Sequence, residues 1–401
     1  MSRPLTGVRI VEVAAWTFVP AAGGMLGDLG ADVIKIEPPT GDPQRGLQNM
    51  LNLGDEGANP FMEIPNRGKR SITIDLRLPA GREVLLKLVE SADVFLTSYL
   101  PELRARLGID PEDLQAVNPR LIYVRGSGWG SNGSMRNTGG YDSAAAWSAG
   151  GLGFKLTKPG AQEPVPQPAA FYDLQGASTI AGAVTTALFH RERTGEGSVV
   201  DVSLLATALW TMAPDIVGSR FAGSVPLPDR KGPGNPIANF YRTQDDRWIN
   251  LVCLQGDRFW PELMPLLGRP DLVTDERFSD AKRRYENRYE CVAELDAIFG
   301  SKPLAEWEGI LANFSGVWST MRSFEEIYTF APVVENGMLR DVTANNGVPF
   351  KLPTAAAQFD GEPGQPSGPA PECGQHTEEV LLDAGLDWDA IAAYREQGAL
   401  G

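Results

Sequence analysis

The sequence predicts an α/β protein built on a parallel, Rossmann-like sheet. Two observations carry this. Over the first 125 residues, short β-branched runs alternate with helix-like runs, the pattern of βαβ units. The chain is 401 residues long, more than one ordinary core accommodates, so two domains are expected.

The elements follow in order. GVRIVEV (7–13) is short and β-branched, hence a strand. FVPAAGGMLGDLGA (18–31) suits a helix packed closely through small residues. DVIKIE (32–37) and SITIDL (71–76) are strands, and Pro79 opens a helix over about 79–91. DVFLTS (93–98) and LIYVRGS (121–127) are further strands with short helices between them. Residues 126–153, rich in glycine and serine, read as a long loop, and 155–170, with four prolines, as an extended connection. A strong helix is expected from about Asp173 to Arg193, then the strand VVDVSLL. Residues 216–240 read as a linker and 241–252 as a hairpin. A helical region follows to about 330, then a proline-rich crossing (353–371) and a terminal helix from about Thr377.

Composition narrows the function. Acidic residues outnumber basic ones, 51 to 36, for a formal charge of -15. That field repels nucleic acid and anionic membrane, so neither is an expected partner, and an anionic ligand needs a local basic cluster. The cysteines, Cys253, Cys291 and Cys373, are scattered and odd in number, which argues against a zinc site or a disulfide framework and for a reducing cytoplasm. No signal-peptide layout and no apolar run long enough to span a bilayer is evident. With only His190 and His376, a Ser-His-Asp triad or a histidine metal site is hard to build, and neither GxSxG nor a P-loop occurs. Glu37 ends the second strand where a ribose-binding carboxylate would stand. The turn AAWTFVPAAGG lacks GxGxxG, however, so a dinucleotide is not expected.

Four features carry chemistry. Asp173 heads a helix of small residues, where the helix dipole favours an ionised carboxylate fit to act as a nucleophile; the alternative is an ordinary N-cap. NRGKRSITIDL concentrates Arg67, Lys69 and Arg70, either a phosphate site or a solvated turn. LPELRARLG adds Arg104 and Arg106 after the fourth strand, on the side where parallel sheets bind ligands. The stretch 126–153 has free N–H groups suited to an oxyanion.

Together these segments resemble family III coenzyme A-transferases, the group that includes formyl-CoA transferase and carnitine CoA-transferase. The likeness runs from PLTGVRIVEVAAWTFVPAAGGMLGDLGADVIKIEPPTGDPQRG through NRGKRSITIDL and YDSAAAWSAGGLG. It continues in YDLQGASTIAGAVTTALFHRERTGEGSVVDVSLL and the closing PAPECGQHTEEVLLDAGLD. The resemblance implies a Rossmann-like large domain (1–224), a smaller inserted α+β domain (225–335), and a C-terminal return to the large domain (336–401). It further implies an interlocked homodimer. No tightly bound cofactor is implied; coenzyme A enters as acyl-CoA substrate, with a carboxylic acid as its partner. Asp173 falls on the family's nucleophile. Lys69, Arg70 and Arg106 fall in segments that contact coenzyme A, and Ala15, Trp16 and Thr17 on the segment lining the thioester site. Ser98, Tyr99 and Tyr141 complete the expected binding residues.

Departures are informative. Where relatives commonly carry Glu-Asn-Phe, this chain has Thr97-Ser98-Tyr99; Tyr99 can still stack on adenine, while Ser98 stands where the contacting asparagine is in relatives. Formyl-specific enzymes have glutamine at the position of Thr17 and a glycine run in the small domain, so oxalate and formate are not expected substrates. The same fold also serves α-methylacyl-CoA racemase, whose base is a histidine directly before an aspartate. Here the pair is Tyr141-Asp142, and a phenol is a poor base near neutrality. Trp16, Phe18, Trp129 and Trp147 suggest a bulky or apolar acyl group.

Overall fold

A computed structural model describes residues 3–47, 57–222 and 229–401. Six strands form one sheet: β1 (Arg9–Val13), β2 (Asp32–Glu37), β3 (Arg70–Thr73), β4 (Val94–Thr97), β5 (Ile122–Ser127) and β6 (Ser198–Ser203). Their order is β3-β2-β1-β4-β5-β6, and every neighbouring pair is parallel. Strand order reverses between β1 and β4, which opens a crevice at their carboxyl ends.

A parallel sheet covered on both faces needs strands that are apolar on both sides. Ile10, Val94, Leu96, Ile122 and Val124 face one layer, while Val11, Val13, Phe95 and Tyr123 face the other. The first layer holds the helix Phe18–Asp28 and the long helix Phe171–Thr194. Small residues let these two approach closely, as the sequence predicts: a Cβ at Gly176 would collide with the Phe18 ring. The second layer holds the helix Pro79–Val89 and, from the C-terminal helices, Val380, Leu381 and Ile391. The C-terminal segment also covers the edge strand β3. His376 N donates to Ser71 O at 2.9 Å, Asp75 N donates to Ala399 O at 2.9 Å, and Ile74 bridges Leu400. An edge so covered offers no template for further pairing.

Several local readings change. The stretch 126–153 contains a π-helix, Ser143–Ser148, and the start of a short helix, Leu152–Leu156. Ala145, Ala146 and Trp147 are buried, and that burial orders a segment whose glycines argue for a loop. The supposed linker 216–240 begins inside the helix Ala213–Ala222 and ends in strand β7 (Ala238–Arg242); residues 223–228 lie outside the described residues. The terminal helix divides into Thr377–Asp383 and Trp388–Glu396.

The chain separates into two compact units, residues 1–223 with 331–401, and residues 224–330. In the second, β7 pairs antiparallel with β8 (Trp248–Val252), the expected hairpin beginning slightly earlier in the chain, and β9 (Trp318–Thr320) joins β8. Asp246, with φ +61°, sits in the turn. Helices close over Trp260, Phe278, Phe299 and Trp307.

Candidate functional site

The crevice is built first from the chain leaving β1. Ala15 N donates to Ser98 Oγ at 3.1 Å, and that hydroxyl lies 3.3 Å from Ala15 O, joining the carboxyl ends of β1 and β4. Trp16 follows with φ +68°, an uncommon conformation for a bulky residue, and its N–H points to Asp42 Oδ1 at 3.4 Å. Thr17 is buried, its hydroxyl accepting from Gln44 Nε2 at 2.9 Å. The exposed Tyr141 ring meets the Trp16 ring edge-on, with centroids 5.4 Å apart. Tyr99, beyond β4, packs against the second layer, and its carbonyl accepts from Arg104 at 2.8 Å. Ala15, Trp16, Thr17, Ser98, Tyr99 and Tyr141 are therefore brought to one end of the sheet.

Beneath them lies a buried charge cluster. Glu12 and Lys35 are register partners on β1 and β2, 3.3 Å apart. Lys35 also reaches Asp42 at 2.9 Å, and Arg45 pairs with Glu37 at 2.6 Å. Lys69 Nζ donates to both Glu12 oxygens at 2.7 and 2.8 Å, to Pro20 O at 2.8 Å and to Asn66 Oδ1 at 3.1 Å. Three carboxylates thus lie among three basic side chains; partners offset burial at Glu37 and Lys35, whereas at Lys69 burial outweighs Glu12 and pushes its pKa down to about 7. Arg45, Lys35 and the Ser71 hydroxyl outweigh the burial of Glu37 and hold it down to about 2. Glu37 is accordingly a structural strand-end carboxylate.

This placement argues against the basic cluster as a phosphate site. Lys69 is 3% exposed and its donors are consumed inside the protein, so its amine presents no charge to a phosphate. Arg70 stands at the amino end of β3, away from the crevice, and is neutralised by Asp32, Glu379 and Asp383. Arg67 is buried on Asp28. Of the two arginines after β4, Arg104 is buried on Asp110, while Arg106 is exposed.

The long helix brings in Asp173. Its N-cap is Ala170, which has φ +55°, and no side chain caps it; Asp173 is the third residue of the first turn rather than the cap. Its carboxyl is half-buried, and no described residue hydrogen-bonds to it. Burial, reinforced by the nearby Asp142 carboxylate, pushes its pKa up to about 7. The helix terminus favours the anion, as expected, but by less than burial disfavours it. A helix dipole is worth about 0.3–1 kcal/mol, less than one pH unit, and desolvation beside a like charge outweighs it.

Sequence reasoning did not single out Asp142 and Gln167 as site residues. Asp142 is buried directly before the π-helix and accepts from Gln167 Nε2 at 2.5 Å. Its signal was adjacency to Tyr141. The signal for Gln167 was its place between Pro166 and Pro168. A half-buried carboxyl next to a second carboxylate, in a crevice walled by aromatic rings, is equipped for nucleophilic acyl chemistry.

Comparison with known proteins decides the family. Residues 5–377 match the model for CoA-transferase family III. The chain belongs to that family. It is 28% identical to (R)-2-hydroxy-4-methylpentanoate CoA-transferase of Clostridioides difficile, covering 98% of each chain. It is 31% identical to a probable fatty acyl-CoA transferase of Mycobacterium tuberculosis, covering 95% of this chain and 98% of that one. A crystal structure of a CaiB/BaiF family protein from Brucella suis superposes with a TM-score of 0.82 at 28% identity, covering 96% of this chain and all of the other. This CoA-transferase thus has the six-stranded parallel sheet of its family and is an enzyme whose substrates are CoA thioesters.

Proposed function

We propose that this enzyme is an acyl-CoA:carboxylate CoA-transferase working through covalent intermediates on Asp173. The carrying observation is the state of that carboxyl: half-buried on a rigid helix, unpartnered among the described residues, and beside a second carboxylate. Such a group is more basic than an exposed aspartate and a better nucleophile once ionised. Its surroundings disfavour the free anion but not uncharged forms. Acylated Asp173 is uncharged at that carboxyl, so the same surroundings favour the covalent states.

In the first step an Asp173 oxygen attacks the donor thioester carbonyl. The C–S bond breaks, leaving an aspartyl-acyl anhydride and CoA thiolate. The thiolate attacks the aspartyl carbonyl, the donor leaves as its carboxylate, and an aspartyl-CoA thioester remains. The acceptor carboxylate then attacks that thioester, releasing thiolate and forming a second anhydride. Attack of the thiolate on the acceptor's acyl carbon gives the new acyl-CoA and free Asp173. No net proton transfer is needed. N–H groups of residues 126–153 serve the oxyanions, and the same segment excludes water from the anhydride.

Ala15, Trp16, Thr17, Ser98, Tyr99 and Tyr141 line the thioester in this reading, and Arg106 meets a phosphate. Lys69 supports the crevice from within. Trp16 and Tyr141, 36% and 61% exposed, support an apolar acyl group, as do relatives named for a branched 2-hydroxy acid and for fatty acyl groups. The Thr17 hydroxyl, buried on Gln44, does not supply what a glutamine would, which supports the exclusion of oxalate and formate. A racemase needs an imidazole before Asp142. Tyr141 stands there; His376 accepts from Ser71 N, and His190 lies near the far end of the long helix.

The same reading treats residues 225–335 as an inserted small domain and 336–401 as the return to the large one, supported by the unit 224–330. It takes the protein as an interlocked homodimer, supported by exposed apolar side chains on neighbouring helices: Phe154 (87%), Trp210 (84%) and Phe221 (87%). A reducing cytoplasm fits three free cysteines, and no helix among the described residues is long and apolar enough to cross a membrane. The experiment that tests the mechanism is inactivation by hydroxylamine. It is expected only while an acyl-CoA donor is present, with Asp173→Asn inert in transfer.

A further inference from the structure

Trp16 is held in a conformation that a bulky side chain does not adopt unaided. Its φ of +68° lies in the left-handed region, which costs free energy for any residue with a Cβ. The turn from Ala14 to Thr17 must therefore be fixed from outside, and the contacts that fix it come from β2 and the chain just after it. Lys35 on β2 is fully buried; its Nζ donates to Ala14 O at 3.0 Å and lies 2.9 Å from Asp42 Oδ2. The other oxygen of Asp42, Oδ1, accepts from Trp16 N at 3.4 Å and from Gln44 N at 3.0 Å. Gln44 Nε2 in turn donates to Thr17 Oγ1 at 2.9 Å. One ammonium thus holds the peptide group before Ala15 directly and the one after it through Asp42, while Gln44, tied to Asp42, holds the residue that follows Trp16.

Lys35 also lies 3.3 Å from Glu12, but that carboxyl is already taken by Lys69, which reaches both of its oxygens at 2.7 and 2.8 Å. The closer contacts of Lys35 are the two that bear on the turn. Burial works against its charge, and Glu12, Asp42 and Glu37 more than offset it, so all three donor hydrogens remain. We propose that Lys35 is a positioning residue which, through Ala14 O and Asp42, imposes the left-handed turn at Trp16 and so fixes the Trp16 ring against Tyr141 as a wall of the thioester site. This deepens the reading of Ala15, Trp16 and Thr17 as the thioester lining and rests on it.

Other contacts on the turn do not replace this one. Ala15 N donates to Ser98 Oγ at 3.1 Å, which ties the turn to β4 but does not set the rotation at Trp16. Thr17 is the N-cap of the first helix, yet its side chain makes no capping bond there; its hydroxyl is engaged by Gln44 instead. The Trp16 ring is partly exposed, and its ring partner among the described residues is the exposed Tyr141, edge-on at 5.4 Å between centroids. Two rings so open to solvent do not lock a backbone by burial. The aim of the Trp16 ring is set from the backbone, and the backbone is set from Lys35.

The test is fluorine NMR of the full-length protein labelled with 5-fluorotryptophan, with the Trp16 signal assigned through Trp16→Phe. In the wild type, Tyr141→Leu should displace the Trp16 signal because the neighbouring ring is lost, and saturating coenzyme A should displace it as well. Lys35→Met removes both links to the turn. Asp42→Asn breaks one, since its single acceptor oxygen cannot face Lys35 and Trp16 N at once. In each variant the Trp16 signal should shift and its response to Tyr141→Leu should be lost, a change that destabilisation of a still-folded protein does not produce. Circular dichroism checks the fold; if Lys35→Met does not fold, the nearly isosteric Asp42→Asn decides. A folded Asp42→Asn with the wild-type Trp16 signal and the wild-type response to Tyr141→Leu would overturn the proposal, as would a wild type in which Tyr141→Leu leaves Trp16 unmoved. A wild-type Trp16 signal that saturating coenzyme A leaves in place would instead remove the reading beneath it, that this segment lines the thioester.

Discussion

Asp173 is a residue on which two opposing effects act, and their sizes decide its state. Three turns of small residues hold it at a helix N-terminus, which favours charge; burial and Asp142 disfavour it, and they win. Positive φ at Trp16 and Ala170, on either side of the crevice, costs of order 1–2 kcal/mol each and is sustained by the packing around them. The same site should therefore lower stability near neutrality. Asp173 takes its proton at about 7 when folded, against 3.8 unfolded, so its favourable share is complete below 3.8 and is lost as pH rises through 7. Asparagine cannot ionise. Asp173→Asn should accordingly melt above the wild type at about pH 8, by about 2 kcal/mol after allowance for its partial exposure, and close to it at about pH 3. Calorimetry at the two pH values checks this; equal melting at both would contradict it.

At the scale of elements, the strands and helices around the crevice were legible because apolar residues recur on both faces of each strand, and small residues mark the two close-packed helices. The ends of β1, β2, β4 and β5 fall within a few residues of their expected positions. The fate of the basic cluster was not legible. Arg67, Lys69 and Arg70 look alike in NRGKRSITIDL, yet each is claimed by a different acid distant in sequence: Asp28, Glu12 and Asp32. Nothing local distinguishes a lysine that faces solvent from one that turns inward onto β1. Asp142 and Gln167 were missed for the same reason, since their meeting depends on how an arm of prolines crosses the π-helix. The correction is testable. Lys69→Ala leaves Glu12 buried with Lys35 alone and should destabilise the fold by about 3–5 kcal/mol in denaturant melts. Arg106→Ala should leave stability unchanged and weaken CoA binding. The reverse pattern would restore Lys69 as a surface phosphate contact.

At the scale of the whole molecule, the family was legible because its likeness spreads over many separated segments, and the match to residues 5–377 confirms it. The expectation of a dimer comes from that likeness. Phe154, Trp210 and Phe221 read as ordinary helix residues until the fold shows them facing outward. An interlocked dimer cannot dissociate without unfolding, so light scattering should return twice the 43.3 kDa chain mass at every dilution; a monomer at low concentration would contradict it. The central claim is that Asp173 becomes covalently acylated. A free carboxylate ignores hydroxylamine, whereas an aspartyl anhydride or thioester is captured as the hydroxamate. The most direct measurement is peptide mass spectrometry after exposure to hydroxylamine, with and without an acyl-CoA donor. The account predicts a hydroxamate on Asp173 only in the presence of donor. A donor-dependent adduct at another carboxylate, or none at all together with exchange of the substrate's α-proton into deuterated water, would contradict it.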